Sequence, residues 1–190
     1  MVKEKSKGKL MKRECGDCQL CCKLLPVSEI HKPANTKCVH QRVHKGCLVY
    51  YTNKMPLSCH VWNCRWLINN DTNDLARPDR SHYVIDIMPD AVLALDGDRV
   101  VQIQTVQIWV DPKYPNAYKD LRLREYLLRR GKEGIVGQIR FDSERSIILI
   151  PPNMNIENEW VEKPGEAKET GDVQKIVRSL EAQGRKIERW

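Results

Sequence analysis

Cys15, Cys18, Cys21 and Cys22 put four thiols into eight residues, CGDCQLCC, and four more follow at Cys38, Cys47, Cys59 and Cys64. Nothing else in the chain restricts its fold as much. A segment with so few large apolar side chains has little core of its own, so cross-links or metal ions have to hold it together. The remaining two thirds of the chain contains no cysteine, and that change of composition marks a domain boundary.

Compartment decides how such thiols are read. The start, MVKEKSKGKLMKRE, is charged and lacks the apolar centre of a signal peptide, and no later run approaches the ~18 apolar residues of a membrane span. The sequence predicts a cytoplasmic protein with no membrane segment. In a reducing compartment, clustered cysteines point to metal binding or redox chemistry before structural disulfides. A disulfide scaffold is the alternative, and the adjacent Cys21 and Cys22 argue against it because a mutual bridge would be strained.

Spacing adds geometry. Cys-x2-Cys steps join Cys15 to Cys18 and Cys18 to Cys21, and such a turn brings two thiolates to one side of the backbone. On a straight helix Cys15 and Cys22 would lie about 10.5 Å apart along the axis, against about 3.8 Å between two thiolates on one tetrahedral zinc. All four cannot serve one zinc that way. Either the segment begins as a turn and becomes helical near CCKLL, or it serves more than one metal atom. Eight thiols suit two four-thiolate zinc sites, or an iron-sulfur cluster with further ligands or redox thiols. The usual ferredoxin run is absent, and thiolates do not choose between zinc and iron.

Residues 1–66 carry 13 Lys and Arg against 4 Asp and Glu, a net of +9, whereas residues 67–190 carry 19 against 21, a net of −2. No acidic residue occurs from His31 to Asn70. A basic surround offsets the charge of metal-bound thiolates. It also admits a nucleic-acid-binding module, although few aromatic residues are interleaved with the basic ones. His40 and His44 have a spacing that would share a helical face, but exposed polar residues on a connecting segment are the stronger expectation. His60, beside Cys59, is the better candidate to support a ligand.

Two blocks, CGDCQLCC at Cys15–Cys22 and GCLVYYTNKMPLSCHVWNCRWL at Gly46–Leu67, together resemble the CxxCxxCC cysteine-cluster family, described as a zinc- or iron-chelating domain. The matching positions are Gly46, Cys47, Tyr50, Pro56, Cys59, Trp62, Cys64 and Trp66. The chain departs from the family at Met55 and His60, where arginines are usual. The resemblance implies a metal centre; one class within the family, flagellin lysine N-methylases, joins such a cluster to methyl transfer. Outside the cysteine blocks the chain shows no Gly-rich turn for a nucleotide-like cofactor. Trp62 and Trp66 are expected to pack over the site and shield it.

From Ser81 onward the pattern becomes strand-like. AVLALDGDRVVQIQTVQIWVDP reads as a hairpin turning at Asp96 and Gly97, with a change of phase that suggests a bulge near Thr105. NAYKDLRLREYLLRRGKEG reads as a helix of about four turns ending at Gly131, and IVGQIRF with SIILIPP as a second hairpin.

The expected fold is α+β, a cysteine-rich metal-bound module followed by a mostly antiparallel sheet with one or two helices. Its parts are a flexible basic tail (1–14), the cysteine module (15–67), a small α+β domain (80–150), a linker (151–171) and a C-terminal helix (172–184). The expected function is metal binding, as zinc or an iron-sulfur centre, by Cys15, Cys18, Cys21, Cys22, Cys38, Cys47, Cys59 and Cys64. The metal would be structural and would support contact with a protein partner through the second domain or last helix. An iron-sulfur redox or radical-type enzyme, or its accessory, is the first alternative, and a basic nucleic-acid-binding module the second. No catalytic residue is assigned.

Overall fold

A computed structural model describes residues 13–96 and 99–166, together with 175, 178, 179, 181–184 and 187–189. The fold is α+β. The cysteine-bearing half holds a two-residue hairpin, β1 (Gln41–Arg42) with β2 (Gly46–Cys47), and four short helices. These are α1 (Leu20–Leu24), α2 (Leu57–Val61), α3 (Arg65–Ile68) and α4 (Pro78–Ser81). The other strands form one mixed sheet.

Its centre is β5 (Arg99–Val110), whose β-branched run suits a strand paired on both edges. One edge pairs antiparallel first with β3 (Tyr83–Ile85) and then with β4 (Asp90–Asp96). On the other edge β6 (Ile135–Arg140) runs parallel, followed outward by antiparallel β7 (Arg145–Ile150) and β8 (Val161–Glu166). A last strand, β9 (Ile187–Arg189), runs parallel beside the start of β5.

A parallel pair needs a crossover, and α5 (Leu121–Gly131) supplies it between β5 and β6. Asp120 caps its start by accepting from the Arg122 backbone N–H and also accepts the Tyr83 hydroxyl at 3.0 Å. Leu123, Tyr126 and Leu127, spaced along one face, bury that helix against Val106, Ile108 and Val110 of β5. Gly137 lets it approach, because a Cβ there would meet Leu127 at 3.1 Å. The opposite face of the sheet receives the cysteine half: Leu20, Leu24 and Cys64 pack with Val84 and Trp109 in a second core.

Several expectations need revision. The helix ends at Gly131 as read from the sequence but has 11 residues, because residues 117–119 form a separate 3-10 turn. The β4–β5 and β6–β7 pairings match the expected hairpins, whose first turn, at residues 97–98, lies outside the described residues. β5 has no bulge at Thr105. Its register with β6 is unbroken from Gln104 to Trp109, and the irregularity falls on the opposing edge between Ile85 and Asp90, which pair with Ile108 and Thr105. The change of apolar phase has another cause: β5 is covered on both faces, by α5 and by the cysteine half.

Residues 151–171 are not simply a linker, since β8 within them adds a strand to the sheet. Nor does the basic tail extend to residue 14. Arg13 donates to Trp66 and Thr72 carbonyls, bonds Thr72 Oγ1 at 3.0 Å and lies 4.9 Å over the Trp66 ring. Residues 1–12 lie outside the described residues. In the expected last helix Lys175, Arg178, Ser179, Glu181 and Ala182 are helical, and its apolar Val173, Ile176, Val177 and Leu180 lie outside the described residues.

Candidate metal centre

The CGDC stretch is a turn. The Cys18 N–H donates to the Cys15 carbonyl at 2.9 Å, and Gly16 takes φ +53°, a left-handed conformation that favours glycine. Arg77 clamps the turn from outside, donating at 2.7 Å to both Asp17 and Asp79. Helix then begins at Leu20. The segment is therefore a turn followed by a short helix, so Cys15 need not lie on the axis of α1.

Cys21 and Cys22 are consecutive on α1, about 100° apart around its axis. Leu20 and Leu24 anchor that helix in the second core, with Cys18, Cys21 and Trp62 packed against it. Lys23, next in sequence, reaches Asp111 at the end of β5 with contacts of 2.6 and 2.7 Å.

The other four cysteines come to this helix from separate segments. The Cys38 N–H donates to the Cys22 carbonyl at 3.2 Å. Cys47 lies on β2, and its hairpin docks through Gln41, which donates to Gln19 at 2.6 Å, and through Gln19, which donates to the Arg42 carbonyl. Gly46, with φ +73°, fits beneath the CGDC turn: a Cβ there would lie 3.4 Å from the Gly16 carbonyl. Cys59 is on α2, whose start is held by the Glu29 carboxylate accepting from the Ser58 N–H at 2.8 Å and its hydroxyl at 2.9 Å. Cys64 follows, buried, in an isolated β-bridge to Asp86.

All eight are free thiols. Among the described residues no three His, Cys, Asp or Glu side chains already converge on a point where a metal ion could sit. The thiols are nonetheless electrostatic neighbours. Burial pushes Cys64 up to about 12, with Cys15 and Cys18 adding to the rise. Burial likewise raises Cys15, where Cys18 and Cys22 contribute. Cys47 and Cys59 are raised by burial first, then by Cys22 and Cys38. Cys21 donates a hydrogen bond to Cys22, which raises Cys21 well above an ordinary thiol and lowers Cys22 to about 7.

Lys32 is buried, at 7% exposure, among these thiols. Its ammonium donates to the carbonyls of Lys23 and Pro33 at 3.3 Å and to that of Leu25, and its charge acts on Cys38, Cys22, Cys21 and Cys59. Sequence reasoning missed it, since nothing in HKPANTK separates this lysine from a surface one. His60 is exposed, and no side-chain hydrogen bond ties it to the cluster among the described residues. His40 precedes β1 and His44 sits in the hairpin turn at φ +60°, so they share no helical face. Trp62 packs in the second core, and Trp66 spans both cores with its indole N–H donating to the Leu75 carbonyl at 3.1 Å.

Compared with known proteins, the chain matches no family model, no curated protein and no solved structure.

Proposed function

We propose that this protein holds thiophilic metal in its cysteine cluster, and that the metal is structural, fixing a surface through which the chain meets a protein partner. The observation that carries the reading is the placement of the later cysteines beside the 15–22 segment: the Cys38 N–H donates to the Cys22 carbonyl, the hairpin carrying Cys47 docks on Gln19, Cys64 packs with Leu20 and Leu24, and Cys59 is an electrostatic neighbour of Cys22. Apolar packing does little to unite those segments: among the described residues of 31–61 only Lys32, Gln41, Gly46, Val49 and Met55 are buried. A metal bound by thiolates supplies folding free energy that such a segment lacks.

The eight thiols divide, in this reading, into two sets of four. Cys15, Cys18 and Cys21 act with Cys64, and Cys22 acts with Cys38, Cys47 and Cys59. The sets meet where Cys21 and Cys22 adjoin, and Cys15 also feels Cys22. Two four-thiolate centres side by side account for all eight cysteines, and binding requires the thiols of each set to turn inward. Lys32 then supplies a fixed positive charge beside the second set. When bound, the metal neutralises thiolate charge and ties the four segments to one another.

Zinc and iron-sulfur clusters both accept this donor set. The test is metal analysis by mass spectrometry, with an absorption spectrum, on protein purified without oxygen. About two zinc per chain and no visible absorption is the expected result for two closed four-thiolate centres. Iron with sulfide and a brown colour would move the reading to redox chemistry, and a metal-free folded chain would overturn it. Cys18→Ser and Cys38→Ser, one from each set, are each expected to remove about half of the metal.

A further inference from the structure

The exposed apolar side chains are unevenly placed. Of the twelve large ones among the described residues, eight lie between Val39 and Ile68, in the stretch that has no carboxylate. Three of the eight line an open groove of about 690 Å³ beside the β1–β2 hairpin. Val39, Val43 and Leu48, exposed by 69%, 62% and 50%, give it an aliphatic lining, and Lys37, Arg42 and Lys45 give it three positive charges. Among the described residues none of those three cations pairs with a carboxylate.

We propose that this groove binds an acidic, aliphatic-rich segment of a partner protein. Three cations with no carboxylate partner among the described residues, of which Arg42 also donates to the Val39 and Gln41 carbonyls, select a negative ligand, and interspersed branched aliphatics select one that carries its own apolar side chains at short intervals. A single nucleic-acid strand would need flat rings for its bases, and no aromatic side chain lines the groove. The size suits a few side chains of a peptide. Cys38 also lines the groove, so the groove adjoins the proposed metal centre; the inference rests on that reading to the extent that metal shapes the groove.

The test uses the full, metal-analysed chain as bait for a library of random 12-residue peptides. Enriched peptides are expected to be rich in Asp and Glu together with Leu, Ile or Val, and a synthetic copy of the best should bind with an affinity that falls at least tenfold in Lys45→Glu and in Val43→Asp. Both positions are exposed in the hairpin turn, so neither change disturbs packing, and circular dichroism verifies this. Peptides without acidic bias, binding indifferent to both changes, or no enrichment would overturn the proposal. So would tighter groove-dependent binding of a 20-nucleotide single strand or of phosphatidylserine vesicles. Metal content measured on the same samples separates the two readings: binding by metal-free chain retains the groove and rejects the centre, and loaded chain that enriches nothing does the reverse.

Discussion

Gly16 and Lys32 show how much of the site is decided by single residues. At φ +53° Gly16 occupies a conformation that costs other residues about 1–2 kcal/mol, and its missing Cβ lies beside the Arg77 guanidinium. Gly16→Ala is expected to lower stability by about that amount in urea unfolding, and to lower metal content where a distant Gly134→Ala does not. Lys32 is different in kind. Its buried ammonium is the partner of three backbone carbonyls, so Lys32→Met leaves them unpaired and removes a charge from the thiols. A loss of about 2 kcal/mol is expected, consistent with hydrogen bonds made by a charged group, and Lys32→Arg is expected to restore only part of it because a planar fork fits three carbonyls differently. An unfolding midpoint for Lys32→Met equal to that of the parent would show that the carbonyls find other donors.

At the scale of elements, acid should act first on α2. The Glu29 carboxylate holds the start of that helix, and hydrogen bonds from Ser58, first through its backbone N–H, lower Glu29 from 4.5 to about 2. A depressed carboxyl contributes stability that is complete above its unfolded value and disappears as pH falls through its folded one. The difference in unfolding midpoint between the parent and Glu29→Gln is therefore expected to be present at pH 7, to shrink below about pH 4.5, and to vanish near pH 2. A constant difference across that range would remove Glu29 from the account. α1 is tied to the sheet by another contact, Lys23 with the buried Asp111, and Asp111→Asn is expected to cost about 2 kcal/mol, between the values for exposed and buried pairs. Elements with their own periodicity are legible in the sequence: α5, β4 with β5, and β6 with β7 stand where alternation, spacing and turn residues put them. β8 is not, because VEKPGE has no apolar alternation and forms its strand only by pairing with the edge of β7. The docking of the cysteine half on the sheet is equally hidden, since Trp109 reads as one more apolar residue until its face of β5 is known. Cysteine spacing marks the segment that carries the thiols, but which thiol neighbours which depends on turns such as Gly46, whose role is steric and leaves no periodic trace.

Across the whole molecule the two cores differ in what they depend on. The core beneath α5 contains no cysteine and is closed by Tyr83, Leu123, Tyr126, Leu127 and Ile139, all 2% exposed or less. The other contains Cys64 itself, with Cys18 and Cys21 packed at its margin, and it borrows Val84 and Trp109 from the sheet. Under the proposed function, stripping the metal weakens the second core and leaves the first standing, so unfolding ceases to be two-state. After treatment with a strong chelator, limited proteolysis is expected to cut first within residues 31–60 while a fragment containing α5 and β5–β8 persists. Trp109 would lose its cover, so tryptophan emission should shift to the red and an apolar dye should bind the uncovered face of the sheet. Re-adding zinc should reverse both changes if the metal is structural. The reverse order, α5 and the sheet digested before the cysteine half, would mean that the thiol segment folds on packing alone. An unchanged digest would mean that neither core needs the metal, and the eight thiols would then require an explanation in reactivity, with Cys22, lowered to about 7, the first thiol to probe by alkylation.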